Sequence, residues 1–313
     1  MRAPEKRPEI VIRTVLLATD FERSSRVALG YAAVVARRFQ ARLVLVHAFE
    51  LDPVATNVEV VDHKKSRTRR DLEARLQAFT SEIDLKGIPT KQVLVEGTVP
   101  SAILKSLSKY DADLLVLGTQ GVRKGVNHVL LGSNTEALML LASCPTLTIG
   151  PYVPEATGFD MGLRKIVYIS DFTAGSAIAV PTVERLSADL AVPVEMYQLL
   201  ADQDRANDAR SRLLAEEFCA SLKALSTETQ QKWCKPEFQL DHIRRADELL
   251  PESLDPSTLI VLGIESASFL GRHLHTSYAY RLLANAACPI LTIPRLKKGT
   301  EKRSPPLEQF RTP

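Results

Sequence analysis

The sequence predicts an α/β protein of two tandem domains, each a five-stranded open parallel sheet flanked by helices. Three observations carry this prediction. Short apolar runs rich in Val, Leu and Ile alternate with longer amphipathic stretches, the pattern of buried parallel strands and their crossover helices. The same landmarks occur twice in the same order, which marks a duplicated unit. At 313 residues the chain is too long for one ordinary core and suits two of about 150 residues.

In the first unit the strands are the runs 14–19, 42–48, 91–95, 113–118 and 145–149. Helices fit between them. Residues 23–39 place Val27, Leu29, Ala32, Ala33 and Val35 at helical spacing. The charged stretch 64–86 carries Leu72, Leu76, Phe79 and Ile83 on one stripe, the mark of a helix with one buried face. Residues 99–109 and 134–142 supply two more. Strands alternating with helices wind into an open, Rossmann-like sheet with right-handed crossovers.

The second unit repeats the order. Thr-Val-Leu-Leu-Ala-Thr-Asp20-Phe21 is echoed by Lys-Ile-Val-Tyr-Ile-Ser-Asp171-Phe172, and Leu-Leu-Val-Leu-Gly118 by Leu-Ile-Val-Leu-Gly263. Ala-Ser-Cys144-Pro-Thr-Leu-Thr-Ile149 returns as Ala-Ala-Cys288-Pro-Ile-Leu-Thr-Ile293. Its strands fall near 165–170, 193–199, 236–241, 258–263 and 289–293. Pro181 in its first helix predicts a kink or a late start, because proline lacks an amide donor and clashes with the preceding turn. Pro151 to Gly158 reads as a linker between domains at 11–151 and 163–295, and the polar, proline-bearing 296–313 reads as a disordered tail.

Composition narrows the function classes. Forty basic against 37 acidic side chains leave a net charge of +3, too small to point to nucleic acid or an anionic membrane as partner. The longest apolar runs fall far short of a bilayer span, and the basic start has no apolar segment behind it of secretory length, so a cytoplasmic protein is expected. Cys144, Cys219, Cys234 and Cys288 form no CxxC pair and no metal-ligand rhythm, and reduced cysteines are the expectation. His273-x-His275 lacks a third ligand at useful spacing. His47 reads as a packed or hydrogen-bonded side chain, and no GxxxxGK[ST] or Ser–His–Asp arrangement is present. No catalytic or metal residue is assigned.

Ligands of open parallel sheets bind outside the carboxyl ends of the strands, where the strand order reverses. Two segments would meet there: Asp20, ending the first strand, and Gly118-Thr-Gln-Gly121-Val-Arg-Lys-Gly125-Val-Asn-His-Val-Leu-Leu-Gly132-Ser133-Asn134-Thr135-Glu136. Gly118 and Gly121 let backbone approach a ligand without a Cβ in the way. Gly132 does so just before a helix, whose first amides, on Ser133, Asn134 and Thr135, suit a phosphate. Arg123, Lys124 and His128 lie in the same loop. Ser133 with Glu136 matches a capping box. The same residues serve equally as a plain helix cap and turn, and Asp20 as a cap for the next helix.

Together these segments resemble the universal stress protein family, through Thr19-Asp20-Phe21, Val46-His47, Gly97-Thr-Val-Pro100, the glycine loop with Gly132-Ser133-Asn134-Thr135-Glu136, and the final Cys144-Pro-Thr-Leu-Thr-Ile strand. The likeness covers the first unit and, more faintly, the second. ATP-binding members of that family carry Gly-x2-Gly-x9-Gly-[Ser/Thr]; here ten residues separate Gly121 from Gly132. The resemblance implies that Asp20 contacts adenosine and that the Ala48 backbone lines the adenine slot. It also implies that Gly118, Gly121, Gly132, Ser133, Asn134 and Thr135 hold ribose and phosphates, with Mg as counter-ion. In the second unit Ser266 and Thr276 stand where glycines should, and Glu265 and Tyr278 add charge and bulk, so that unit is expected to be structural. The last strands, Pro145–Ile149 and Pro289–Ile293, are expected to pair within one chain as a pseudo-dimer, or between chains as a homodimer.

Three functions follow: an ATP-binding stress-response regulator acting on an unknown protein partner, a slow ATP hydrolase, or an interaction scaffold without nucleotide.

Overall fold

The computed structural model describes residues 12–50, 58–119, 132–156, 162–170, 179–198, 213, 216, 244–245, 254–264, 282–283 and 285–294. The first half contains β1 (Thr14–Ala18), α1 (Arg23–Arg38), β2 (Arg42–Phe49), α2 (Val58–Ser81), β3 (Thr90–Glu96), α3 (Val99–Lys109), β4 (Leu114–Gly118), α4 (Ser133–Leu141) and β5 (Thr146–Ile149). The second contains β6 (Lys165–Ser170), α5 (Val180–Leu190), β7 (Val194–Gln198), β8 (Arg244–Arg245), β9 (Thr258–Ile264) and β10 (Ile290–Pro294). Strand positions agree with the apolar runs to within a residue or two. The strand expected at 236–241 lies outside the described residues, as does 296–313; the strand beside β7 is Arg244–Arg245.

Among the described residues all ten strands form one sheet, in the order β3-β2-β1-β4-β5-β10-β9-β6-β7-β8. Read outward from the middle, the two halves show the same order. Pairing within each half is parallel. At the middle β5 meets β10 antiparallel, Leu147 opposite Leu291, and Thr292 Oγ1 donates to the Thr146 carbonyl at 3.2 Å.

Alternation along the strands explains the layers. Val15 and Leu17 of β1 point to a core with α1, α2 and α5, whereas Leu16 points to one with α3 and α4. The first core is continuous across the middle of the sheet, taking in Leu147 and Ile149 with Leu291 and Ile293. On the opposite side there are two clusters, one within the first half and one of the second half into which Met139 of α4 reaches. The stripe on α2 behaves as its spacing predicts, with Leu76 and Phe79 buried and Leu72 and Ile83 packed beside them.

Two helix boundaries differ from expectation. The second helix, expected at 64–86, runs from Val58 to Ser81. It stops early because Asp84 Oδ1 accepts the Lys86 amide at 3.0 Å and Gly87 takes φ +78, a left-handed turn open to glycine. In the second half α5 starts late, at Val180 with Pro181 in its first turn, where a missing amide costs nothing. The expected linker is packed through its first part: Val153 is buried and Ala156 lies against the core beside Gly30.

Because β4 and β5 are parallel, α4 runs back against the strands, and its first residue lies at their carboxyl edge. The amino edge is tied by Arg42, which is buried and donates to Thr14 Oγ1 at 2.8 Å and to the Tyr110 carbonyl at 2.9 Å.

Candidate functional site

The strand order of the first half reverses between β1 and β4, so loops leaving their carboxyl ends diverge and open a crevice. At the end of β1, the Thr19 amide donates to the Val46 carbonyl at 3.0 Å. Asp20 Oδ1 accepts from Ser25 Oγ at 2.7 Å and from the Glu22 amide at 3.0 Å. The Asp20 amide in turn donates to Ser25 Oγ at 3.3 Å. Asp20 thus organises the turn into α1, although the N-cap position itself falls on Glu22, which makes no side-chain cap bond.

Phe21 follows with φ +67, a left-handed conformation rare for a residue with a Cβ. Its amide donates to Thr19 Oγ1 at 3.0 Å. Its ring lies 4.2 Å from the His47 ring at 33° and 5.7 Å from Phe79, edge-on, with the Arg75 guanidinium carbon 4.7 Å from its centre. His47 Nδ1 is 2.8 Å from the Thr19 carbonyl; that contact requires a donor, which puts a proton on Nδ1. Burial lowers the His47 pKa below the ordinary histidine value; the Thr19 carbonyl opposes this, Arg75 adds to it, and Asp20 opposes it. His47 is therefore a packed, hydrogen-bonded side chain, as its place at a strand end suggests.

Ala48 is half-buried one residue further on, opposite Val95 of β3. The pairing of β2 with β1 ends at Val46, so Ala48 lies on a part of β2 that overhangs the crevice.

At the end of β4, packing by itself requires a glycine at position 118. A Cβ there would stand 2.5 Å from the Ser24 carbonyl carbon and 2.7 Å from the Ser25 nitrogen. The position lets the start of α1 lie directly on β4. Thr119, buried, donates its amide to the Ile149 carbonyl at 2.9 Å, and the chain leaves the sheet there. Gly121, Arg123, Lys124 and His128 lie outside the described residues.

The loop returns at α4. Gly132 is the N-cap, with φ −63 and ψ 138, and makes no side-chain cap bond. The first intrahelical bond runs from the Glu136 amide to the Gly132 carbonyl at 3.0 Å. Ser133, Asn134 and Thr135 thus supply the three amides that a helix leaves unpaired at its positive end. Ser133 and Asn134 are exposed, and Thr135 is buried. The expected capping box is not formed: Ser133 is the first helical residue rather than the cap, so the spacing to Glu136 is out of frame by one.

The family model for the universal stress protein family matches residues 12–150. A universal stress protein of Thermus aquaticus is 31% identical over 141 residues, covering 44% of this chain and 99% of the relative. The chain belongs to the universal stress protein family. Universal stress protein A homolog 1 of Coxiella burnetii is 28% identical over 137 residues, 43% of this chain and 94% of the relative. A universal stress protein structure from Archaeoglobus fulgidus superposes with a TM-score of 0.56 at 14% identity, covering 90% of this chain and 98% of its own, a likeness of fold.

In this universal stress protein the structure brings Asp20, Ala48, Gly118 and Gly132–Thr135 to one edge of the first half. Residue patterns did not single out Ser25 or Arg75, and they marked Phe21 only as part of a motif. The counterparts in the second half, Asp171, Ser266, Thr276 and their neighbours, lie outside the described residues. Among the described residues no helix is long and apolar enough to cross a membrane, and no group of three His, Cys, Asp or Glu could hold a metal ion. Cys144 and Cys288 are buried thiols, and burial pushes the Cys288 thiol up to about 12.

Proposed function

We propose that this universal stress protein is a stress-response regulator that holds an adenine nucleotide, ATP with Mg as counter-ion, at the β1–β4 crevice of its first half. One observation carries the reading: α4 opens at that edge on a glycine N-cap, which has no side chain of its own to cap the first amides. Three amides at a positive helix end are a donor set matched to a phosphate oxyanion. Among the described residues a Cβ on Gly132 would meet only Thr135 Oγ1, at 3.8 Å, so a side chain added there would stand before the amides. Asp20, whose Oδ1 is engaged by the turn into α1, stands at the same crevice, which Ala48 overhangs. Regulation rather than turnover is the role we assign, because no general base is evident.

We further propose that 11–151 and 163–295 are tandem copies, the second structural. Support comes from the matching strand order of the halves and from the continuous core beneath β5 and β10. The same seam favours a second reading, an interaction scaffold in which two units make an intramolecular pseudo-dimer.

Mass spectrometry of freshly purified full-length protein, with thermal shift against ATP, ADP and AMP, tests the proposal. A co-purifying adenine nucleotide, or a shift lost in Gly132→Val, is expected. No nucleotide and no shift would leave the scaffold reading, and ADP accumulating with time would replace regulator by hydrolase.

A further inference from the structure

We propose that Arg75 and His47 are positioning residues for Asp20: by clamping the Phe21 ring they hold the turn between β1 and α1 in the left-handed conformation that sets the carboxylate. Only the consequence for binding rests on the nucleotide reading above; the clamp is testable without ligand.

The starting point is the backbone. A phenylalanine at φ +67 is disfavoured by its own Cβ, and such a conformation persists only where the surroundings impose it. The local hydrogen bonds hold the main chain of residues 19 to 22 and the Asp20 carboxylate, but none of them grips the Phe21 side chain. The ring is gripped by two other elements. From β2, His47 reaches the Thr19 carbonyl with Nδ1 at 2.8 Å and the Phe21 ring at 4.2 Å. One imidazole thus brackets Asp20 on both sides in the chain. From α2, Phe79 meets the ring edge-on, and the exposed Arg75 lays its guanidinium over it at 4.7 Å, a cation on the electron-rich face of an aromatic ring. If the ring were released, residue 21 would relax toward negative φ. The peptide following Asp20 would rotate, and the Glu22 amide would leave Asp20 Oδ1.

Amide hydrogen exchange on the full-length, ligand-free protein reads this directly. Arg75→Ala, at an exposed position, is expected to lower the protection of the Phe21 and Glu22 amides by up to about fivefold, the worth of one exposed cation–π contact. The α1 interior should not change. His47→Phe keeps a ring against Phe21 but loses the bond to Thr19, and should loosen the same amides. Glycine adopts positive φ without help, so in a Phe21→Gly background neither substitution should change Glu22 protection further.

Calorimetric titration with ATP is expected to show Arg75→Ala weakening affinity by a similar factor in the native background only. Equal loosening in both backgrounds, or none in the native one, overturns the inference. So does a loss of ATP affinity with unchanged exchange, since Arg75 would then touch the ligand itself. Native protein that binds no nucleotide but shows the expected exchange refutes the site and leaves the clamp standing.

Discussion

The end of β1 and the start of α4 lie at the same carboxyl edge of the sheet and are built in opposite ways. At the first, Thr19, Asp20 and Phe21 are each held by hydrogen bonds or by ring contacts from β2 and α2. At the second, the N-cap is Gly132, which makes no side-chain cap bond. Held geometry on one side and a glycine cap on the other point to a division of labour. On the proposed reading the β1 turn is set by the chain itself, whereas the α4 end is where the nucleotide would be held. Substitutions at the two places should therefore fail differently, in stability at the first and in ligand response at the second.

The largest effect expected is on the scaffold side. Gly118→Ala drives a Cβ into the backbone of Ser24 and Ser25, where no side chain can give way. Loss of about 3 kcal/mol, the upper end for overpacking, should appear in denaturant unfolding without ligand. A tolerated alanine would break the comparison by returning Gly118 to the ligand side.

Next comes the response of the α4 end. ATP at about 100 times its dissociation constant should stabilise the native protein by about 2.7 kcal/mol, or about 5–10 °C for a domain of this size. Gly132→Val should lower unliganded stability only by the cost of a poorer N-cap, about 1 kcal/mol, and remove that shift. A fall in unliganded stability as large as that of Gly118→Ala would erase the distinction between the two glycines.

Ser25→Ala sharpens the β1 side. It removes the hydroxyl that donates to Asp20 Oδ1 and accepts from the Asp20 amide, and should cost about 1–2 kcal/mol, as for a hydrogen bond to a charged group. Unchanged denaturant unfolding would show that Asp20 is held by the main chain alone.

The smallest effect is in pH. Burial places the His47 pKa below its unfolded value, which is about 6.5. Its neutral form therefore supports the fold fully above about pH 6.5, and that support is lost as pH falls through the lower, folded pKa. Melting temperatures between about pH 7.5 and 5 should fall less steeply in His47→Phe than in the native protein. Parallel curves would mean that another group carries the acid sensitivity.

Much of the architecture was legible in the sequence because burial alone specifies it. The runs at 42–48 and 113–118 had to be strands, and Leu76 and Phe79 had to face a core, whatever their partners. The pairing of β5 with β10, expected from the family likeness, is found within the chain. The site was legible as a place but not as a mechanism. Gly118 read as a ligand glycine, yet its missing Cβ makes room for α1, a contact across nearly a hundred positions that no local pattern records. The capping box failed by one residue, since Ser133 and Glu136 carry the right letters while helix phase is decided by where the loop returns. Phe21 gave no warning of its left-handed backbone, because the force holding it comes from Arg75, more than fifty residues away.

The antiparallel meeting of β5 and β10 has a geometric outcome of its own. Each half is parallel within itself, so the carboxyl ends of β1 and β4 point one way and those of β6 and β9 the other. Whatever docks at the first crevice and whatever touches the corresponding rim of the second half sit on opposite margins of one ten-stranded sheet, too far apart to share a single small molecule. The rims are joined at the seam where Leu147 faces Leu291 and by contacts beside it. Met139 of α4 packs into the second half's cluster, and Arg38 donates to the Asp189 carbonyl. Together these form the axle on which the two rims are mounted.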